Sequence, residues 1–145
     1  MKAHNRARAW ALQALYAWEV RGVGPNELVR VLHELSDDLQ VSPQNRQYAD
    51  VLVRLLARHL PRVDVLLREH LTNWSLARLA VVDRNILRLG AVELLYVEEA
   101  EPRIVLREAV RLAERYGTPE SPRFVHGVLD AIGRSVRPDA ERGGP

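Results

Sequence analysis

Sixteen residues, VVDRNILRLGAVELLY from Val81 to Tyr96, place the strongest constraint on how this chain can fold. At 100° per residue, Val82, Ile86, Leu89, Gly90 and Leu94 share one broad apolar face, with Leu87 beside it, while Arg84, Asn85 and Arg88 gather opposite. So wide an arc needs neighbours on more than one flank, which predicts the central helix of an all-helical domain. Gly90 is about 1 kcal/mol worse than Ala in a helix interior, so it predicts close approach by another backbone at a crossing. Asp83 falls in the first turn, where the helix dipole favours an anion. Glu93 falls inside the apolar arc, where a charge needs a partner, and it reads as half of an internal ion pair. The residues alone leave the two carboxylates open between that reading, a dipole-stabilised charge plus an internal ion pair, and one in which one or both reach a basic partner surface.

The rest of the chain repeats the helical pattern between clear breaks. A first helix is predicted from Asn5, as N-cap, to about Val20, with Ala11, Leu12, Leu15 and Trp18 inward. Gly22, Gly24 and Pro25 break it, and a second helix follows over Asn26 to about Leu35. After a loop from Ser36 to Val41, Ser42 and Pro43 open a third helix through Tyr48, Val51, Leu52, Leu55, Leu56 and His59. Pro61 interrupts it, so Arg62 to Leu71 is a fourth helix or a kinked continuation with Val65, Leu66 and Leu67 inward. In LTNWSLARLA we expect a turn, a short helical piece capped by Ser75, and Trp74 plugging the joint between two halves.

Beyond the central helix, Pro102 restarts the chain and Ile104 to Tyr116 is amphipathic, with Arg103, Arg107, Arg111 and Arg115 along one face. Gly117 stands at the C′ position, and Ser121 with Pro122 opens a last helix to about Val136. RPDAERGGP is too polar and too rich in Gly and Pro to pack, and is expected to be disordered. These segments predict an all-α fold of about seven helices in two packed three-helix-bundle-like halves. The domain spans 1–136, with halves of about 1–72 and 73–136, and the tail spans 137–145.

Composition narrows the function. A chain of 145 residues with 47% hydrophobic and 28% charged residues suits one soluble helical domain. It has no cysteine, which excludes disulfides and thiolate chemistry. No apolar run reaches signal-peptide or membrane-span length, so the expected location is the cytoplasm. Net charge is only +2, so binding to nucleic acid needs a local cluster, and the clearest is Lys2, Arg6 and Arg8, with the aromatic Trp10 close by. The histidines, His4, His33, His59, His70 and His126, lack the three- or four-residue spacing of a helical metal site. No phosphate loop or nucleophile elbow appears, so neither catalysis nor a cofactor is expected.

Three stretches, RARAWALQALYAWE, VDRNILRLGAVELLY, and the run from Pro102 through EAVRLAERYG to SPRFVHGVLD, together resemble the NusB family of bacterial transcription antitermination factors. The resemblance covers nearly the whole chain outside the tail. It implies an all-helical, non-catalytic protein that binds the boxA element of nascent, single-stranded ribosomal RNA. It also implies a partner, the small-subunit ribosomal protein serving as NusE, within an elongation complex of RNA polymerase and other Nus factors. Carried over by motif, Lys2, Arg6 and Arg8 belong to the RNA surface, with Glu120, Phe124 and His126 near it. Asp83, with Arg84 beside it, takes the place of the contact to the basic partner.

His126 stands where the family usually has Asn, so base preference at this point is open, and Trp10 stands where the family is not usually aromatic. Two rivals remain at this stage. One is a binding module like the N-terminal domain of ribosomal RNA cytosine methyltransferases; the other is a homodimer that hides its RNA surface.

Overall fold

The computed structural model describes residues 2–38 and 40–140, without the side chains of Lys2 and Ala3. Among these residues there are six α-helices and no strand: α1 (Lys2–Arg21), α2 (Leu28–Asp38), α3 (Pro43–Glu69), α4 (Val81–Tyr96), α5 (Pro102–Tyr116) and α6 (Ser121–Val136). Single 3-10 turns occupy Pro25–Glu27 and Leu76–Arg78. The chain divides into two compact units between Leu60 and Pro61.

In the first unit α1 packs on α2. The apolar part of the buried face of α1 is Ala7, Ala11, Leu12, Ala14, Leu15 and Trp18, where three alanines let a neighbouring helix approach closely. α1 starts at Lys2 rather than being capped by Asn5. The Asn5 side chain is therefore free to face along the helix, where its Oδ1 accepts a hydrogen bond from Arg8 Nη1 at 3.2 Å. Gly22, at φ +68, ends α1 in the left-handed conformation that favours glycine. Trp18 pins the following turn by donating from Nε1 to the Gly24 carbonyl at 2.8 Å. α3 opens as the sequence predicts, with Ser42 Oγ accepting the Asn45 N–H and Pro43 at the first helical position. Ala49, Leu52, Val53, Leu56 and Leu60 are its buried apolar residues in this unit, whereas Val51 points to solvent.

Pro61 does not end α3. The ring removes a donor and crowds the preceding turn, and the helix absorbs this at His59 (φ −117, ψ 15) and continues. The buried face keeps its helical register through the kink, from Leu56 and Leu60 to Val63, Leu66 and Leu67, and Val65, expected inward, falls off that face and is 46% exposed.

In the second unit α4 packs against both α5 and α6, which also pack on each other. This accounts for the wide apolar arc: every residue of α4 from Asn85 to Leu94 is buried. Gly90 is explained by a side chain rather than a backbone, since a Cβ there would lie 2.5 Å from Leu129 Cδ1. The polar side of α4 does not face water. Asn85 and Arg88 are buried because the second half of α3 supplies Asp64, whose carboxylate takes two hydrogen bonds from Arg88, while Asn85 Nδ2 donates to the Val81 carbonyl.

Arg137, expected in a disordered tail, is held in place. Its guanidinium donates to the carbonyls of Leu94 (2.9 Å), Val97 (2.6 Å) and Ala100 (3.1 Å), closing the C-terminus of α4 and the turn after it. Residues 141–145 of that expected tail lie outside the described residues.

Candidate functional site

Each unit carries its own group of sequence-predicted residues. In the first, the start of α1 presents Arg6 to solvent, whereas Arg8 is only 4% exposed. The Arg8 guanidinium lies 5.8 Å from the centre of the Tyr48 ring, on which the His4 ring also stacks at 3.9 Å. The two arginines are therefore not equivalent. Arg6 faces solvent, and Arg8 shapes the helix start from within. Trp10 is half-buried. Lys2 lies in α1, with its side chain outside the described residues.

In the second unit, the start of α4, the end of the Leu76–Arg78 turn and the α5–α6 loop enclose a cleft of about 310 Å³. Asp83, Glu120, Arg78, Trp74 and Phe124 line it. Asp83 Oδ1 is buried without a hydrogen-bond donor among the described residues. Leaving a charged acceptor in that state costs on the order of 1–3 kcal/mol, so a donor arriving from outside would recover it. Glu120 adds a second, exposed carboxylate. The cleft suits a guanidinium or ammonium group better than a phosphate.

Arg84 follows Asp83 but works inward. Its Nη1 donates to the Leu79 carbonyl at 2.8 Å and the Leu76 carbonyl at 3.2 Å, holding the turn that carries Arg78 and Leu79 to the cleft. Ser121 is buried and its Oγ accepts the Thr118 N–H at 2.9 Å, which fixes the loop bearing Glu120. Gly117 serves the same loop through space rather than through its dihedrals, because a Cβ would lie 2.5 Å from Ser121 Oγ and its φ is −96. His126 is exposed on α6, and Phe124 is half-buried.

Trp74 is the residue that sequence reasoning misplaced. It does not plug a joint: its ring is 61% exposed and meets Phe124 edge-on, with centroids 5.8 Å apart. The available signal was its setting among Thr72, Asn73 and Ser75, turn formers that hold a side chain at the surface. Among the described residues no group of His, Asp and Glu could hold a metal ion, and no helix is long and apolar enough to cross a membrane.

The NusB family profile matches residues 5–134, which include Arg6 and Arg8 of the first group and all of the second. The chain belongs to the NusB family. A transcription antitermination protein NusB from Sorangium cellulosum is 43% identical over 143 residues, covering 98% of this chain and all of the relative. Among solved structures, NusB of T. maritima superposes with a TM-score of 0.83 at 35% identity, covering 90% of each chain. A complex described as antitermination factors NusB and NusE with double-stranded RNA gives a TM-score of 0.82 at 34% identity, over 93% of this chain and 98% of that one. The all-helical NusB architecture expected from the sequence is thus the one observed, with six α-helices because the third and fourth expected segments are one kinked helix.

Proposed function

We propose that this chain is a transcription antitermination factor that acts by binding and without catalysis, in the cytoplasm. It engages a boxA-type single-stranded element of nascent ribosomal transcripts together with a NusE ribosomal protein, and so joins the elongation complex. The observation that carries the partner half of this reading is Asp83: a buried carboxylate oxygen lacking a donor, in an acid-lined cleft, is matched by a cation from a basic protein. The solved complex of a NusB with NusE and RNA supports the same pairing.

On this reading Asp83 contacts the partner, and Arg84 contributes by holding the neighbouring turn in place. Arg6, with Lys2 at the same helix start, serves RNA phosphates while Arg8 supports that start from within, and Phe124 and His126 lie towards RNA with Glu120 at their edge. RNA affinity of the free protein is modest, since its net charge is small. A bound partner adds a second basic surface on the same RNA strand, and linking two contacts raises affinity through effective concentration.

Calorimetric titration of the NusE protein into wild type and Asp83→Asn tests the assignment. The near-isosteric variant removes the charge, and we expect about tenfold weaker binding, since charge-assisted contacts are worth roughly 1.5–3 kcal/mol, with little change in Tm. Equal affinity for the two proteins would return Asp83 to a dipole-stabilised structural charge.

A further inference from the structure

The Trp74–Phe124 pair also lines a second cleft, of about 290 Å³, between the His70–Trp74 loop and α6. This cleft lacks the carboxylates of the first. Its polar lining is Thr72, Asn73, His70 and Arg123, and its floor on α6 includes Gly127.

Gly127 is the informative residue. It sits inside α6, exposed, and a Cβ built there would meet nothing within 4 Å. Gly90 and Gly117 are explained by internal packing, because a Cβ at either would come within 2.5 Å of a neighbour. Gly127 has no such neighbour, yet a glycine in a helix interior weakens the helix. The remaining physical reason is close approach of something from outside.

What the surroundings fit is a nucleotide. Trp74 meets Phe124 at an interplanar angle of 65°, so the two rings are not stacked face to face, and Trp74 remains 61% exposed. The exposed indole is a platform on which an unpaired base can stack. Arg123, exposed at the same cleft, supplies a cation for the adjoining phosphate. We infer that this cleft is a nucleotide subsite, in which one unpaired RNA base stacks on Trp74 and passes over the bare backbone of Gly127 while its phosphate meets Arg123. The inference deepens the RNA-binding reading above and rests on it.

The test is a low-salt anisotropy titration of a short fluorescein-labelled boxA-type RNA, without partner, into wild type, Trp74→Ala, Trp74→Phe and Gly127→Ala. Trp74→Ala is expected to weaken binding by about tenfold and Trp74→Phe to retain most of it, as loss and rescue of stacking require. Gly127→Ala is expected to weaken binding while its Tm stays level or rises. Wild-type tryptophan fluorescence should be quenched by the RNA, and less so in Trp74→Phe.

If wild type binds no RNA, the RNA reading fails and the subsite with it. If wild type binds RNA and both Trp74→Ala and Gly127→Ala bind it equally well, the subsite is overturned and the RNA reading stands. Variants that lose NusE affinity while keeping RNA affinity would assign the cleft to a protein and overturn the inference, as would a lowered Tm for Gly127→Ala.

Discussion

The Arg88 guanidinium and the Asp64 carboxylate face each other inside the second unit through two hydrogen bonds, Nε to Oδ1 at 2.9 Å and Nη2 to Oδ2 at 3.0 Å. Arg88 Nη1 also donates to Asn85 Oδ1 at 3.1 Å, so the polar side of α4 is tied to α3 and to itself. Removing the carboxylate alone would strand a buried cation. Asp64→Ala should cost about 3–5 kcal/mol in chemical denaturation, and the double variant Asp64→Leu with Arg88→Met should recover much of that. Additive losses in the double variant would show that the two residues act independently.

This pair marks the limit of what the sequence makes legible. Periodicity places α4 and α6 at their observed bounds, because an apolar arc and a proline at the first turn are local signals. It also gathers Arg88 and Asn85 on the side opposite the apolar face, but period counting does not reveal what covers them. Their burial depends on Asp64, twenty-four positions away, which no local pattern couples to them. Arg137 escapes for a similar reason: its acceptors, from Leu94 to Ala100, are distant backbone carbonyls that composition does not reveal. At the candidate site, motif resemblance finds Asp83, Glu120 and Phe124. The exposure of Trp74, the openness around Gly127 and the burial of Arg8 are properties of packed geometry.

Gly90 faces the tip of Leu129, itself fully buried. Gly90→Ala gains about 1 kcal/mol of helix propensity but must displace that side chain within a filled core, at a cost of roughly 1–3 kcal/mol. Net destabilisation is expected. In a Leu129→Ala background, where the obstruction is gone, the same substitution should be neutral or stabilising by thermal melting. Destabilisation of the same size in both backgrounds would refute the contact.

Arg6 and Arg8 should separate by experiment. Arg6→Ala should leave Tm nearly unchanged, weaken RNA binding and reduce the slope of log affinity against log salt by about 0.7, the value for one phosphate on a single strand. Arg8→Ala, which removes a buried stem from the Asn5 and Tyr48 contacts, should lower stability by about 1–2 kcal/mol. A full salt-slope change with unchanged Tm in Arg8→Ala would place Arg8 on the phosphate surface after all.

Asp50 links α2 to α3 in the first unit, accepting from His33 at 2.7 Å and from Arg54 Nε at 2.5 Å. Burial opposes its ionisation, but hydrogen bonds from Arg54 and His33, reinforced by their charges, outweigh that and hold its carboxyl below the usual value of 3.8. A depressed folded-state value contributes stability above the unfolded-state value, and this is lost as pH falls through the lower one. Asp50→Asn should therefore be less stable than wild type at neutral pH, by about 0.5 kcal/mol, with the gap closing below about pH 4. A gap that persists at low pH would contradict the assignment.

The central claim is joint recognition of RNA by this chain and a NusE protein. It is tested most directly by fluorescence anisotropy of a short boxA-type RNA and a scrambled control, each with and without the partner, at two salt concentrations. We expect weak, salt-sensitive binding by the chain alone, and tighter binding with the partner that favours boxA over the scrambled strand. Equal affinity for both RNAs, unchanged by the partner, would contradict it.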